Sequence, residues 1–176
     1  MSEQAVAVVS RPVRRFVIDT RRPYDAFRKE WERAIPSVSW GTAIAEAKGG
    51  GGWRAIQDLS ARTAVNGLVS IGTFDPSPVM RLAGDRLRAV TYLTGSVVLC
   101  EELYHHDPAA IEYVPLRVTI SERPADTSTI TFDKPGDLFA AYAPPEIADA
   151  ARDVERALAA ALRSVNVPVP RDLEAG

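Results

Sequence analysis

Two short stretches of alternating apolar and polar residues constrain the fold more than any other feature of this sequence. Residues 116–121 (LRVTIS) and residues 128–132 (STITF) carry an apolar residue at every second position. Successive side chains of a strand point to opposite faces of a sheet, so each stretch predicts a strand with one apolar face. The polar link ERPADT between them predicts an antiparallel hairpin. Because only one face is apolar, we expect helices to cover that face alone.

The rest of the chain predicts further strands and helices around this hairpin. β-branched and aromatic residues cluster in three more predicted strands, residues 12–19, 68–74 and 88–93. Apolar residues recur at helical spacing in four predicted helices, residues 24–34, 53–64, 97–105 and 144–165. The predicted fold class is therefore α+β, a two-layer sandwich of a mainly antiparallel sheet with helices packed on one face.

The length and the turn signals predict one domain with flexible ends. A chain of 176 residues can bury a core of its own. We assign residues 11–166 to a single α+β domain, residues 1–10 to a flexible N-terminus and residues 167–176 to a flexible C-terminal tail. Inside the domain, the four consecutive glycines at residues 49–52 predict that residues 37–52 form a poorly ordered segment.

Composition and charge exclude several classes of partner. The net charge of −2 provides no field that would attract nucleic acid or an anionic membrane, and no apolar stretch approaches the length of a membrane span. The single cysteine, Cys100, cannot form an intramolecular disulfide. The N-terminus lacks the charge order of a secretory signal, so we expect a cytoplasmic protein.

The segment from Tyr92 to Glu122 (YLTGSVVLCEELYHHDPAAIEYVPLRVTISE) carries a resemblance to a known family. Its HDPAA turn and YVPLRV strand, together with FDKPGDLFAAY at residues 132–142, resemble the domain of unknown function 302 family. The resemblance implies a sheet flanked by helices, often found as a homodimer. It implies no activity, cofactor or catalytic residue set. Where the family has Gly-Asn-Pro, this chain has Gly95-Ser96-Val97, and Ser96 is expected to cap the following helix.

The paired histidines are the candidate catalytic residues. Glu102 and His106 are four residues apart on the predicted helix, and His105 has the same spacing from Glu101. A carboxylate beside an imidazole suits proton transfer near neutral pH. Arg117, on the polar face of its strand, is expected to hold a carboxylate or to polarise a carbonyl. Two histidines and one cysteine are too few for a zinc site, so we expect no metal and no cofactor.

Aromatic residues and the capping serine are the candidate ligand-binding residues. They are expected to line a pocket between sheet and helices, with the glycine run as a flexible lid over it. The residues are Trp53, Tyr92, Ser96, Tyr104 and Tyr113.

Three functions remain open at this point. The first is a cofactor-free small-molecule-binding domain. The second is a cofactor-independent enzyme of specialised metabolism, an isomerase, cyclase or lyase that uses acid and base residues. The third is a homodimeric interaction module without a ligand. A cavity with polar groups would favour the first two, and a histidine facing that cavity would favour the second.

Overall fold

The sheet has five strands, all antiparallel to their neighbours, in the order β1-β5-β4-β3-β2. The computed structural model describes residues 6–174. The strands are β1 (Arg15–Asp19), β2 (Val69–Phe74), β3 (Ala89–Gly95), β4 (Leu116–Arg123) and β5 (Thr127–Asp133). The predicted hairpin is confirmed, since β4 and β5 pair in the register Ile120 with Ile130.

Eight α-helices and two 3-10 turns accompany the sheet in the described part of the chain. The helices are α1 (Tyr24–Ala34), α2 (Trp40–Glu46), α3 (Gly52–Thr63), α4 (Ser77–Met80), α5 (Val97–His106), α6 (Pro135–Phe139), α7 (Pro145–Ser164) and α8 (Arg171–Glu174). The 3-10 turns are Arg81–Ala83 and Pro108–Tyr113.

The core lies between one face of the sheet and the helices α1 and α7. The inward residues of the hairpin, among them Val118, Ile120 and Ile130, pack in one cluster with Trp31 of α1 and Leu158 of α7. Burial of each aliphatic side chain of this kind stabilises the folded state by about 1.5–3 kcal/mol relative to leaving it exposed. The inward side chains of the strands pack on the apolar faces of α1 and α7. This packing confirms the predicted α+β sandwich.

The opposite sheet face, which we call the open face, carries mostly hydroxyl side chains. Within residues 6–174, no helix forms a hydrophobic cluster with this face. Its members include Val17, Thr91, Leu93, Arg117, Thr119, Ser121, Thr129, Thr131 and Asp133. The polar positions of the alternating strands therefore lie where the sequence pattern predicts them.

Two segments predicted to be flexible are ordered. The prediction for residues 37–52 is wrong, because α2 begins at Trp40 and a π-helical turn, Ala47–Gly51, joins it to α3. The alanine-rich stretch before the glycines favours helix, and only Gly50 (φ 108°) and Gly52 (φ 54°) leave the helical conformation.

The predicted flexible C-terminal tail instead packs on the core as far as it is described. Val167 and Leu173 are buried in the same cluster as the hairpin residues, and Leu173 belongs to α8, which ends at the last described residue. The apolar residues at alternate tail positions explain this packing. At the other end, residues 6–10 are exposed and lack regular secondary structure. Residues 1–5, 175 and 176, which belong to the predicted flexible ends, lie outside the described residues.

Ion pairs connect the N-terminal strand to α6 and to the C-terminal helix. Arg14 donates to both carboxylate oxygens of Asp137 at 2.7 and 2.8 Å and to Asp172 Oδ2 at 2.7 Å. Lys134 Nζ donates to the carbonyl of Asp172 at 2.8 Å and to buried Glu155 at 3.2 Å. The hydrogen bonds from Arg14 lower the pKa of Asp137. We call Arg14, Lys134, Asp137, Glu155 and Asp172 the terminal clasp.

Candidate functional site

A corner of backbone at one end of the sheet positions the candidate site. β3 ends at Gly95, and the Ser96 hydroxyl accepts a hydrogen bond from the Leu99 amide at 3.4 Å, which confirms Ser96 as the N-cap of α5. Asp107 caps the following 3-10 turn through the Ala109 amide at 2.9 Å. The turn leads through Val114 and Pro115, joined by a cis peptide bond, into β4.

An apolar cavity of about 250 Å³ lies inside this corner. It lies between the end of β3, the first turns of α5 and the segment before β4. Its walls are Ile71, Gly95, Ser96, Val97, Cys100, Ile111, Val114 and Pro115. Apart from backbone, the Ser96 hydroxyl and the Cys100 thiol are the polar groups among these residues. Burial raises the pKa of the Cys100 thiol, so the group is a neutral thiol at neutral pH.

A buried hydroxyl without a partner lies deeper in the same corner. Thr94 shares with Ser96 and Cys100 the wall of a void of about 10 Å³, which holds at most one water molecule. Its side chain is 0% exposed, and its hydroxyl has no hydrogen-bond partner among the described residues. Such an unsatisfied group costs about 1–3 kcal/mol.

A second cavity, of about 220 Å³, lies on the other side of the Val114–Pro115 segment. It opens toward the open face of the sheet and has a mixed polar and apolar lining. Its walls are Leu93, Glu112, Tyr113, Val114, Pro115, Leu116, Arg117, Asp133 and Leu138. Val114 and Pro115 therefore border both cavities.

Some charged side chains around the second cavity have a partner of opposite charge, and others do not. Asp133 accepts two hydrogen bonds from Arg15, at 2.7 and 3.1 Å. Arg11 lies over the Tyr113 ring, with its guanidinium carbon 4.4 Å from the ring centre. The side chain of Arg117 makes no hydrogen bond and no ion pair with any other described residue. A guanidinium thus borders a cavity without a counterion of its own.

The structure brings some of the predicted site residues to these cavities. Ser96 borders the apolar cavity, whereas Tyr113 and Arg117 border the second one. The sequence reasoning missed Thr94, Val114, Pro115, Cys100 and Asp133 as residues of the cavities and the adjoining void. The departure at Gly95-Ser96-Val97 pointed to the right corner, but no periodicity in the sequence signalled a cavity there.

The predicted acid–base residues lie elsewhere. Glu102, His105 and His106 are exposed on α5, and the two imidazole rings pack edge to face with centres 5.3 Å apart. None of them is among the described residues that line the cavities. Adjacent positions on a helix diverge by about 100°, which directs both rings to solvent at the end of α5.

The remaining predicted ligand-binding residues are also away from the two cavities. Tyr104 is 54% exposed, and Trp53 is 42% exposed at the start of α3. Tyr92 is buried under α1, where its hydroxyl donates to Glu32 Oε1 at 2.8 Å. Burial and this bond raise the pKa of Tyr92.

The far end of the sheet carries a dense set of paired charges instead of a cavity of this kind. Arg88 donates to both oxygens of Glu122 at 2.9 and 3.0 Å and to Asp25 at 2.8 Å, and it lies 4.5 Å above the Tyr24 ring. These bonds lower the pKa of Glu122.

Arg28 extends this set of charges along α1. It donates to Asp75 and to Glu32, each at 2.9 Å. We call Asp25, Arg28, Glu32, Asp75, Arg88 and Glu122 the paired end of the sheet.

Two further features bear on the class of protein. Within residues 6–174, no group of three or more histidine, cysteine, aspartate or glutamate side chains is arranged to hold a metal ion. In the same part of the chain, every helix is too short or too polar to cross a bilayer.

Comparison with known proteins supports a family assignment but names no activity. No curated protein matches the chain in sequence. The crystal structure of an uncharacterized conserved protein DUF302 from Bacillus stearothermophilus matches the fold with a TM-score of 0.60 at 12% identity, covering 86% of this chain and 97% of that one. The family model described as "Domain of unknown function DUF302" matches residues 54–165, which include the residues that line both cavities. The chain belongs to the DUF302 family.

Proposed function

We propose that this protein binds a small, largely apolar molecule in the cavity at the corner between β3, α5 and β4. The observation that carries the proposal is a preformed cavity of about 250 Å³ whose walls are apolar except for a hydroxyl and a thiol. Small-molecule sites are typically concave and apolar, with a few polar groups that orient the ligand. The orphan Thr94 hydroxyl next to it gives a ligand or its water a buried hydrogen-bonding partner.

A larger depression is a weaker candidate because one of its two arginines, Arg22, is already satisfied. It measures about 690 Å³ and lies open to solvent between α1 and the end of α7. There Arg22 pairs with Glu30 and donates to the carbonyls of Val165 and Asn166 at 2.6 and 3.0 Å. These contacts fix the end of α7 and leave less for a ligand to gain.

Binding is favoured over acid–base catalysis by the position of the histidines. The enzyme hypothesis required His105 or His106 to face a cavity beside a carboxylate. Both rings are exposed at the end of α5, and the residues described around the apolar cavity include no histidine and no carboxylate. The cavity offers a ligand shape and two weak polar groups, which suits recognition without proton transfer.

The binding proposal is tested with 1-octanol as a neutral apolar probe. We expect saturable amide chemical-shift changes that centre on Ser96, Val97 and Val114. Cys100→Phe fills the cavity and should abolish these changes, whereas Glu101→Phe introduces the same side chain at the neighbouring exposed position and should preserve them. Thermal unfolding of both variants verifies that they fold.

A second readout uses the only cysteine of the chain. Octanol bound in the cavity should slow alkylation of Cys100 in the wild-type protein, in proportion to occupancy. Shifts scattered over the surface, or unchanged alkylation at saturating octanol, would contradict the proposal.

The open face supports a second candidate function, homodimerisation. Val17, next to Thr131 on the edge strand β1, is 55% exposed, and Phe74 at the end of β2 is 66% exposed. We infer that the centre of this face pairs with a second copy of the chain, which leaves the cavities at the strand ends accessible. We also propose that the protein is cytoplasmic. Sedimentation equilibrium should give a dimer for the wild type and a monomer for Val17→Asp. A strict wild-type monomer at micromolar concentration would end the idea.

A further inference from the structure

Arg117 differs from nearby Arg14 and Arg15 because no carboxylate of the described residues pairs with it. Along β4 its cross-strand neighbour on β3 is Leu93, an apolar residue. On the other side, the nearby carboxylate of Asp133 already accepts two hydrogen bonds from Arg15. Within the part of the chain that the structure describes, Arg117 forms no ion pair, although it borders the second cavity.

The charges at the second cavity favour an anionic group over a neutral or cationic one. Arg15 and Asp133 neutralise each other, which leaves Arg117, Arg11 above Tyr113, and the exposed Glu112. The local excess is therefore one positive charge. A guanidinium binds a carboxylate through two parallel hydrogen bonds, which are stronger than bonds between neutral groups.

The cavity that Arg117 borders shares a wall with the apolar cavity. Val114 and Pro115 are walls of both cavities, and Arg117 follows Pro115 by two residues. An apolar chain in the 250 Å³ cavity therefore has its end next to the segment that separates it from Arg117. The apolar and cationic subsites are therefore neighbours, and a molecule that occupies both needs an apolar part and an anionic part.

We propose that the ligand is an amphipathic carboxylate, with its apolar part in the cavity beside Cys100 and its carboxylate on Arg117. This inference rests on the proposed binding function and adds the chemical class of the ligand. The Tyr113 ring, held under Arg11, forms the side wall next to the head group.

The experiment compares octanoate with 1-octanol, which have the same chain length and differ in charge. Calorimetric titration of the wild-type protein should show that octanoate binds about tenfold more tightly, equivalent to one charge-assisted hydrogen-bonded pair. The preference should decrease as salt is added, since it depends on an accessible charge.

Two variants assign the preference to Arg117. Arg117→Gln should remove the preference for octanoate and leave octanol affinity unchanged. Arg123→Gln is the matched control, because Arg123 is an exposed arginine at the far end of the same strand. It should retain the wild-type preference for octanoate.

The outcomes separate this inference from the proposed function. If octanol binds at the corner and octanoate binds no more tightly, the carboxylate inference is overturned while the apolar site stands. If Arg117→Gln weakens both probes equally, the residue supports the fold of the site and the inference is again overturned. If neither probe binds, both proposals are wrong.

Discussion

The two ends of the sheet differ in how their arginines are paired with carboxylates. At the paired end, Arg28 and Arg88 each contact two carboxylates, and Arg88 also covers the Tyr24 ring. At the corner end, Arg117 borders a cavity without a partner among the described residues. The charges of the paired end are matched within the chain, whereas the corner end combines ion pairs such as Arg15 with Asp133 with a cavity and an arginine, Arg117, that has no partner there.

This difference separates charges that stabilise the fold from charges available for recognition. A partly buried arginine with two carboxylates has its hydrogen-bonding capacity used, and removing it leaves buried acceptors unsatisfied. An arginine at a cavity wall has lost less solvation and can still gain a partner. Ion pairs occur at both ends, so what marks the candidate site is the one arginine beside its cavity, Arg117, that has none.

The sharpest test of this comparison is the same substitution made at both ends. Arg88→Met should lower the free energy of unfolding by about 2 kcal/mol, because Glu122 loses a bidentate partner in a partly buried setting. Arg117→Met should change it by less than about 0.5 kcal/mol. Urea denaturation of both variants gives the two values. Equal losses would remove the distinction between the ends.

The orphan hydroxyl at the corner end predicts a gain in stability. Thr94→Val keeps the shape of the side chain and removes the unsatisfied group, so it should raise the free energy of unfolding by about 1 kcal/mol. The control is Ser121→Ala on the open face, whose hydroxyl bonds to Thr129 and should give no gain. A loss of stability in Thr94→Val, measured by urea denaturation, would show that the hydroxyl is satisfied in solution.

Carboxylates of the paired end and of the terminal clasp should also determine part of the response to acid. The hydrogen bonds from Arg88 and Arg14 lower the pKa values of Glu122 and Asp137 in the folded state. Their stabilising contribution is therefore present above the unfolded-state values near about 4 and is lost as the pH falls through the folded-state values. Urea midpoints measured from about pH 6 down to about pH 3 should decrease less steeply in Arg88→Met than in wild type. Parallel curves would contradict this assignment.

The smallest expected effect concerns the Cys100 thiol in the apolar cavity. Because burial raises its pKa, the thiolate fraction near pH 8 is below that of an unperturbed cysteine. Alkylation by iodoacetamide should be several-fold slower than in the urea-unfolded chain and should accelerate as the pH rises. A rate equal to that of the unfolded chain would mean that the cavity wall is open at this point.

Most of the sheet could be predicted from the sequence because its rules are local. The alternation in residues 116–121 and 128–132 predicts the strands, their buried face and their hairpin. Ser96 and Asp107 predict the starts of the helical segments that they cap. The helical stripe Tyr24, Phe27 and Trp31 identifies the buried face of α1 in the same way.

The sequence could not predict features that depend on distant packing. The glycine run at residues 49–52 suggests disorder, yet α2 and α3 on either side order it into a helical turn. Val167 and Leu173 look like tail residues until the core surface that receives them is formed. The cavities arise between β3, α5 and β4 through shape, so residue types such as the paired histidines pointed to the wrong end of α5.

The terminal clasp has a consequence for how this domain could be built into larger proteins. The ion pair of Arg14 with Asp172, 2.7 Å between the side-chain atoms, places the residue before β1 beside α8 on the surface. A domain whose ends meet can be inserted into a surface loop of a host protein without stretching the loop. Because of the terminal clasp, a host protein could hold this domain, with its sheet and both cavities, through two linkers that leave it close together.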